Sequence, residues 1–280
     1  MKIFLTGGTG FIGSHLLSAL ANLPHEVIAL RRQGSSPCIE LTCQPVWSEK
    51  PLDLLQVFDL VGVDAIVHLA SVGVSPKKAS WEDMFFWNVT VLVRLLEVAK
   101  AAGVPRVVVA GSFSEYGKSA DQYDFIPVNA PLLPTNAYAA SKAAAFIGAW
   151  SYAIENKIEL CYLRIFSAYG EGQYVGNFWP ALRAAAQSGL DFPMTLGQQV
   201  RDYVPVADVV KQIVNAVLRD DINAGCPLVM NVGSGKPVTM RDFAEYWWTH
   251  WQAQGRLLPG AIDYRPNEPM RFVPVVESFS

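Results

Sequence analysis

Lys2-Ile3-Phe4-Leu5 is a short apolar run, and Thr6-Gly7-Gly8-Thr9-Gly10-Phe11-Ile12-Gly13 follows it at once. Residues 14–20 then carry leucines at helical spacing, so the stretch predicts a strand, a glycine turn and a helix. In that order the first glycine permits the tight turn, the second lets the backbone approach a pyrophosphate, and the third lets the helix pack close to the sheet. The helix N-terminus offers N–H groups and a positive dipole end to phosphates. The pattern favours a dinucleotide-binding turn over a glycine turn without a ligand, with cofactor contacts from Gly7, Gly10, Phe11, Ile12 and Gly13.

Apolar strands alternate with amphipathic helices along the rest of the chain. We predict strands at residues 27–30, 39–47, 64–70, 106–110 and 160–166, helices at 88–102, 138–156 and 209–218, and an extended tail at 264–280. No internal repeat interrupts this alternation. The expected fold class is therefore α/β, with a doubly wound parallel sheet of the Rossmann type.

Composition limits the possible functions. The 280 residues are 51% hydrophobic and 17% charged, with a formal net charge of -3 and no basic block, which argues against nucleic acid or an anionic membrane as a partner. No apolar run reaches the length of a membrane helix. The four cysteines have no metal-binding spacing, so we expect a reduced, cytoplasmic chain without a metal.

The end of the second predicted strand decides between NAD and NADP. An acidic residue there would accept a hydrogen bond from the 2′-hydroxyl of NAD, but the sequence has Leu30-Arg31-Arg32. Two guanidinium groups suit a 2′-phosphate in charge and in geometry. We therefore predict that Arg31 and Arg32 contact the cofactor and that NADP(H) is preferred, with NAD(H) possible. The alternative is a pair of solvated surface arginines.

The strand at residues 64–70 ends in a loop where open parallel sheets bind their ligands. Leu69 and Ala70 are predicted to contact the cofactor, and Ser71 the substrate. His68 lies inside the strand without an acidic or metal-binding neighbour in sequence, so it is predicted to be a buried core histidine rather than a base or a ligand.

Ser112, Tyr138 and Lys142 form the predicted catalytic set. Tyr138 and Lys142 are four residues apart on one helix face, and Ser112 follows a strand. A phenol is a poor acid–base group at neutral pH, but a nearby ammonium favours its ionised form and lowers its pKa. Lys142 is predicted to do this while it holds a ribose of the cofactor, and Ser112 is predicted to hydrogen-bond a substrate oxygen.

These motifs resemble those of the extended short-chain dehydrogenase/reductases, in the nucleotide-sugar (NAD(P)-dependent) epimerase/dehydratase family. Residues 6–13 match the family's cofactor motif residue for residue, and Tyr138-x-x-x-Lys142 matches its catalytic motif. Residues 163–170 resemble the "LRxFNxYG" strand, with Ser167 where Asn is usual, and residues 201–208 resemble the "RDFxxVxD" segment. The likeness runs from Met1 to about Arg271, after which the usual closing "LGW" segment is lacking.

The resemblance implies a nucleotide-diphosphate sugar as substrate and a homodimer built on helices 88–102 and 138–156. It places substrate contacts at Asn177, Arg201 and Arg265, besides Ser71, Ser112 and Tyr138. It also implies a small C-terminal substrate-binding domain. We expect a cofactor domain of residues 1–168 with 204–235, and a substrate domain of residues 169–203 with 236–280.

Departures from the family pattern narrow the expected reaction. The 4,6-dehydratases of the family carry Asp-Glu directly after the catalytic hydroxyl residue, whereas this chain has Phe113 and Ser114, and Glu115 comes one place late in a segment expected to be extended. GDP-fucose synthases place Cys where Ser114 stands. Hydride transfer at one carbon remains, and the arginine pair favours an NADPH-dependent 4-ketoreductase over a 4-epimerase that keeps NAD bound. A non-catalytic dinucleotide sensor on the same fold is a further alternative.

Overall fold

The computed structural model describes residues 1–74, 79–265 and 268–276, so the predicted loop 71–80 and tail 264–280 lie partly outside the described residues. The strands are β1 Lys2–Thr6, β2 Glu26–Leu30, β3 Val46–Ser48, β4 Ala65–His68, β5 Arg106–Ser112, β6 Glu159–Ile165, β7 Ser167–Tyr169, β8 Phe192–Met194, β9 Val200–Arg201, β10 Tyr203–Pro205, β11 Leu228–Val232, β12 Val238–Thr239, β13 Leu257–Pro259 and β14 Arg271–Phe272. The α-helices are α1 Phe11–Leu20, α2 Trp81–Phe85, α3 Val91–Ala101, α4 Ala137–Asn156, α5 Phe178–Ser188, α6 Val206–Leu218 and α7 Met240–His250.

Seven parallel strands form the central sheet, in the order β11-β6-β5-β4-β1-β2-β3. The chain builds β1, β2 and β3 outward to one edge and then crosses back to add β4 beside β1. Strand order therefore reverses between β1 and β4, and in open α/β sheets the carboxyl ends of the strands at such a reversal hold the ligand. The prediction of a doubly wound parallel sheet is confirmed.

The core has two large apolar clusters, one on each face of the sheet. Side chains of α1 and α6 belong to the first cluster, and side chains of α3 and α4 belong to the second. The strands read as nearly continuous apolar runs because both of their faces are covered, as is usual for parallel sheets. No helix among the described residues is long and apolar enough to cross a membrane.

A third, smaller cluster packs α5 and α7 against β8 and β13, with Leu182, Met194, Ala244 and Trp248 at its centre. Two further small sheets join β7 to β10, and β9 to β12 and β14. The division into residues 1–168 with 204–235 and 169–203 with 236–280 stays a prediction. The third cluster lies wholly within the second of these two sets of residues.

Several element boundaries differ from those predicted. The third strand is Val46–Ser48 instead of the predicted 39–47, because the glycine- and proline-containing segment before it is irregular. The predicted helix 88–102 begins earlier, as α2, and passes through a π-helical turn at Phe86–Thr90 before α3. Residues Phe113–Tyr116, expected to be extended, form a 3₁₀ turn.

Candidate active site

The glycine turn lies at the carboxyl end of β1, beside the end of β4. Gly7 has a φ of +77°, and a Cβ atom there would lie 2.8 Å from the backbone nitrogen of Ala70. A Cβ atom at Gly13 would lie 2.1 Å from the Gly7 carbonyl oxygen. Gly10 is the N-cap of α1 and no side chain caps this helix, so its end is open to a ligand. The turn is thus shaped by backbone contacts that only glycine allows.

Leu69 and Ala70 follow β4 and touch this turn. The Leu69 N–H donates to the Thr6 carbonyl oxygen at 3.2 Å, and the Ala70 N–H donates to the Thr6 hydroxyl at 3.3 Å. His68 is buried, and its Nδ1 lies 2.9 Å from the same hydroxyl. Burial, with a smaller contribution from Lys142, lowers the pKa of His68 to about 3. His68 is therefore a neutral core histidine, as predicted.

Asn88 is a buried residue of this region that sequence reasoning missed. Its amide accepts the Val72 N–H at 2.8 Å and donates to the Val72 carbonyl oxygen at 3.0 Å. It also lies 3.2 Å from the Ser71 hydroxyl and donates to the Ser141 hydroxyl at 2.9 Å. Asn88 thus ties the loop after β4 to α4. The available signal was an amide at the start of a helix otherwise rich in apolar residues.

The three predicted catalytic residues come together at the carboxyl end of β5. Ser112 is the last residue of β5, and the side chains of Ser112 and Ser71 lie close enough to the Tyr138 hydroxyl to lower its pKa. The Ser112 hydroxyl also lies 2.8 Å from the Ser114 hydroxyl. Three serine hydroxyls and one phenol therefore share one site, close to the loop that follows β4.

The pKa of Tyr138 is raised to about 12, mainly by burial; hydrogen bonds with Ser112 and Ser71 lower it, and the charge of Glu115 raises it. This is the opposite of the lowering by Lys142 that the sequence predicted. The Lys142 ammonium donates to the Ala110 carbonyl oxygen at 2.5 Å, and burial lowers the pKa of Lys142. Tyr138 is accordingly a neutral phenol and a potential proton donor.

The residues after Ser112 carry no carboxylate into the site. The Phe113 ring packs on Phe166 and Phe272, with ring centres 5.5 Å and 4.9 Å away. Glu115 is fully buried and bonds to the Arg164 guanidinium at 2.8 Å. Among the described residues, no group of three histidine, cysteine or acidic side chains could hold a metal ion.

Arg31 and Arg32 follow β2 but differ in their surroundings. Arg31 is paired with Glu49, with its Nη2 at 2.8 Å from the carboxylate, and its guanidinium lies over the Trp47 ring. Arg32 is exposed, and within residues 1–74, 79–265 and 268–276 only its carbonyl oxygen is bonded, by Ser35. The pairing of Arg31 with Glu49 was not predicted.

The other three predicted substrate contacts, Asn177, Arg201 and Arg265, belong to the segments around α5, β9 and β14. Asn177 is the N-cap residue of α5, yet its side chain makes no capping hydrogen bond. Arg201 is nearly buried; its guanidinium donates to the Pro269 carbonyl oxygen at 2.7 Å and lies 3.6 Å from Glu268. Arg265 is exposed, and its backbone N–H donates to Glu268.

The residues of the glycine turn fit a dinucleotide. The turn has no side chain at positions 7, 10 and 13, lies at the point where strand order reverses, and precedes an uncapped helix N-terminus. These features provide N–H donors and a positive dipole end to a pyrophosphate. The Tyr138 hydroxyl lies beside Ser71, which follows the strand next to the turn.

Comparison with known proteins agrees with this site. Residues 3–233 match the family described as "NAD dependent epimerase/dehydratase family". The CDP-abequose synthase of Salmonella muenchen is 26% identical over 278 residues, which cover 96% of this chain and 87% of the relative. The dTDP-6-deoxy-L-talose 4-dehydrogenase (NAD(+)) of Aggregatibacter actinomycetemcomitans is 25% identical over 256 residues, with 88% of each chain covered. Several other relatives are UDP-glucose 4-epimerases.

Among solved structures, MoeE5 in complex with UDP-glucose and NAD is similar over most of its length. The TM-score is 0.83 at 28% identity, and the match covers 99% of this chain and 90% of MoeE5.

Proposed function

Because the chain belongs to the NAD dependent epimerase/dehydratase family, we propose that it is an NADPH-dependent 4-ketoreductase that acts on a nucleotide-linked 4-keto-6-deoxyhexose. At the level of the family, the chain is an NAD(P)-dependent enzyme that modifies nucleotide sugars. The identity of the nucleotide, the identity of the sugar and the choice of NADPH belong to the proposal.

The observation that carries the proposal is the buried, neutral Tyr138 phenol beside Ser112 and Ser71. Burial is the main cause that raises its pKa to about 12, so the hydroxyl keeps its proton near neutral pH. Reduction of a ketone needs such a proton donor at the oxygen. Dehydration needs an acid–base pair beside the hydroxyl residue, and Phe113 and Ser114 occupy those positions.

In this mechanism Ser112 donates a hydrogen bond to the keto oxygen and polarises the carbonyl group. Tyr138 gives its proton to that oxygen and recovers one from solvent. Lys142, four residues on along the same face of α4, stabilises negative charge on the Tyr138 oxygen as the proton leaves. When bound at the glycine turn, the reduced dinucleotide would supply the hydride for the new C–H bond. One C–H bond and one O–H bond are thereby formed, and the keto group becomes an alcohol.

We assign the dinucleotide to Gly7, Gly10, Phe11, Ile12 and Gly13, with Leu69, Ala70, Tyr138 and Lys142 along its length. Arg31 and Arg32 are proposed to hold its 2′-phosphate. Of these two, Arg32 is the more available, because the Glu49 carboxylate already balances the Arg31 charge.

We assign the nucleotide sugar to the opposite side of the site. Ser71, Ser112 and Tyr138 would surround its reacting oxygen, and Asn177, Arg201 and Arg265 would contact its nucleotide diphosphate. The uncapped side chain of Asn177 supports this, because an asparagine at an N-cap otherwise bonds to its own helix. Arg201 would have to exchange its contact with Glu268 for one with phosphate.

A nucleotide-sugar 4-epimerase that retains NAD is the second candidate. The pairing of Arg31 with Glu49 favours it, because it leaves a single unpaired arginine for a 2′-phosphate. The UDP-glucose 4-epimerases among the relatives favour it as well. A dinucleotide sensor without catalysis is a weaker candidate, because a sensor has no need for Ser112, Tyr138 and Lys142 together.

NADPH oxidation with a panel of dTDP-, GDP-, CDP- and UDP-linked 4-keto-6-deoxy sugars tests the proposal. We expect the protein to reduce one sugar of the panel and to consume one NADPH for each sugar reduced. NMR then identifies the product. Interconversion of the 4-epimers of the corresponding 4-hydroxy nucleotide sugars, without net consumption of NADPH, would establish the epimerase instead. Absence of both reactions across the panel would contradict both enzymatic candidates and favour the sensor.

A further inference from the structure

A buried carboxylate lies directly beneath the three catalytic residues. Glu115 is 0% exposed, and its Oε1 accepts the Ser112 backbone N–H at 2.7 Å and lies 3.0 Å from the Tyr162 hydroxyl. Its Oε2 accepts the Nε–H of Arg164 at 2.8 Å. Every one of these partners is a donor, and one is a cation, so the surroundings favour the ionised carboxylate although burial raises its pKa.

The backbone around Glu115 is closely packed against its partners. A Cβ atom at Gly111 would lie 2.2 Å from the Tyr162 ring and 2.7 Å from Glu115 Oε1. The Tyr162 hydroxyl also lies 3.1 Å from the Lys142 carbonyl oxygen. Glu115 is thereby connected on one side to the backbone of Ser112 and, through Tyr162, to the turn of α4 that carries Tyr138 and Lys142.

Ionisable groups face Glu115 from three elements. The 3₁₀ turn contributes Tyr116, β6 contributes Tyr162 and Arg164, and α4 contributes Tyr138 and Lys142. His68, on β4, faces Lys142 and is neutral. A negative charge at Glu115 opposes a second negative charge at Tyr138 and favours the positive charge of Lys142, which burial disfavours.

We infer that Glu115 is a positioning residue that fixes Ser112 through its backbone and keeps Tyr138 in its proton-donating form. The inference rests on the proposed function, because a proton donor suits reduction of a ketone. Oxidation of an alcohol needs a base first, and a buried anion beneath Tyr138 disfavours that base. A carboxylate that touches no substrate atom thus holds the free site in the protonation state from which reduction starts.

Glu115→Gln tests the charge. The ionisation of Tyr138 is followed as the difference in phenolate absorbance between the protein and its Tyr138→Phe variant, with and without Glu115→Gln. We expect the titration of Tyr138 to move to lower pH by roughly 1 unit, the order expected for removal of a nearby unit charge in a partly buried site. The decrease of kcat at alkaline pH should move to lower pH by the same amount.

Glu159→Gln is the matched control. Glu159 also pairs with an arginine across β5 and β6, because Arg106 lies 2.7 Å away, but the pair is at the amino ends of those strands. This variant loses an ion pair of the same kind and should leave the Tyr138 titration in place. Glu115→Asp keeps the charge but shortens the side chain, so kcat should fall while the alkaline limb stays where it is.

Glu115→Gln leaves Arg164 buried without its anion, which can prevent folding. The double variant Glu115→Gln with Arg164→Met removes both charges and is expected to show a smaller shift of the Tyr138 titration in the same direction, because loss of the Arg164 cation partly offsets loss of the Glu115 anion. An unchanged titration in the double variant would overturn the inference. A shifted titration without turnover of any nucleotide sugar would support the role of Glu115 and contradict the proposed function, so the two failures are distinguishable.

Discussion

The Tyr138 hydroxyl is the single atom on which the proposed reaction depends. Tyr138→Phe removes the proton donor but keeps the ring and its packing, so NADPH and substrate should bind almost normally. Proton transfer by a positioned group contributes about 10²–10⁴-fold in rate, and kcat should fall by that factor with little change in KM. The measurement is steady-state NADPH oxidation with the substrate identified from the panel.

Tyr152→Phe is the control for Tyr138→Phe, because Tyr152 lies on the same helix in a half-buried position away from Ser112. It should keep full activity. If Tyr138→Phe were equally active, Tyr138 could not be the proton donor.

Arg32 should govern the choice between NADPH and NADH more strongly than Arg31. Hydrogen bonds to charged groups contribute about 1.5–3 kcal/mol, which is roughly a 10- to 100-fold change in the ratio of dissociation constants. We expect this loss in Arg32→Ala and a smaller one in Arg31→Ala, whose guanidinium is already paired with Glu49. The ratio is obtained by fluorescence titration of each variant with both cofactors. Tight NADH binding that neither variant changes would refute the NADPH preference.

Individual functional residues could be predicted from the sequence only where they belong to a motif. Ser112, Tyr138 and the glycines were predicted from spacing, and the structure places Ser112 and Tyr138 together. Four features were not predicted, because each depends on burial or on a contact between distant segments. They are the raised pKa of Tyr138, the hydrogen bonds of Asn88, and the two ion pairs Arg31–Glu49 and Glu115–Arg164. An arginine inside the apolar strand β6 and a glutamate just after the apolar strand β5 are a sequence signal for the last pair.

At the level of elements, the π-helical turn between α2 and α3 presents Asn88 to the loop after β4. Asn88→Ala would leave the Val72 N–H without its partner and free Ser71, whose hydroxyl meets Tyr138. An unsatisfied buried group costs about 1–3 kcal/mol, so the free energy of unfolding should fall by that amount and kcat should fall with it. Thr90→Ala, an exposed change in the same turn, is the control in urea denaturation. Equal stability of the two variants would contradict the role of Asn88.

His68 is buried on β4 where that strand pairs with β1, and its burial should make the free energy of unfolding depend on pH. The pKa of His68 is about 3 in the folded chain, against 6.5 for an unperturbed histidine, so between these values only the unfolded chain binds the proton. The stabilisation is therefore complete above pH 6.5 and is lost as the pH falls toward 3, by at most about 1.4 kcal/mol per pH unit.

His68→Gln should remove this part of the pH dependence in denaturation measured at several acidic pH values. His250→Gln changes an exposed histidine at the end of α7 and should leave the dependence as it is. An unchanged slope in His68→Gln would show that other groups cause the acid sensitivity.

At the level of the whole molecule, the order of strands and helices could be predicted because periodicity and glycine positions are local properties. The loop-rich part between β2 and β3 and the small sheets could not, because their pairing joins segments far apart in sequence, such as β9 with β14. The partition into two domains still depends on the resemblance rather than on an observed boundary.

The exposed surface of α4 leads us to expect an oligomer. Among its twenty residues only Lys142 and Glu155 are charged, and Lys142 is buried. Ile147 and Ile154, seven residues apart on one face, are 59% and 47% exposed, and Trp81 of α2 is 61% exposed. Exposed apolar side chains on one helix face favour a contact between proteins. We therefore expect a homodimer through α3 and α4, with light scattering giving twice the chain mass at micromolar concentration. Ile147→Asp should yield monomers, whereas Leu190→Asp, after α5, should not; a monomeric parent protein would refute the expectation.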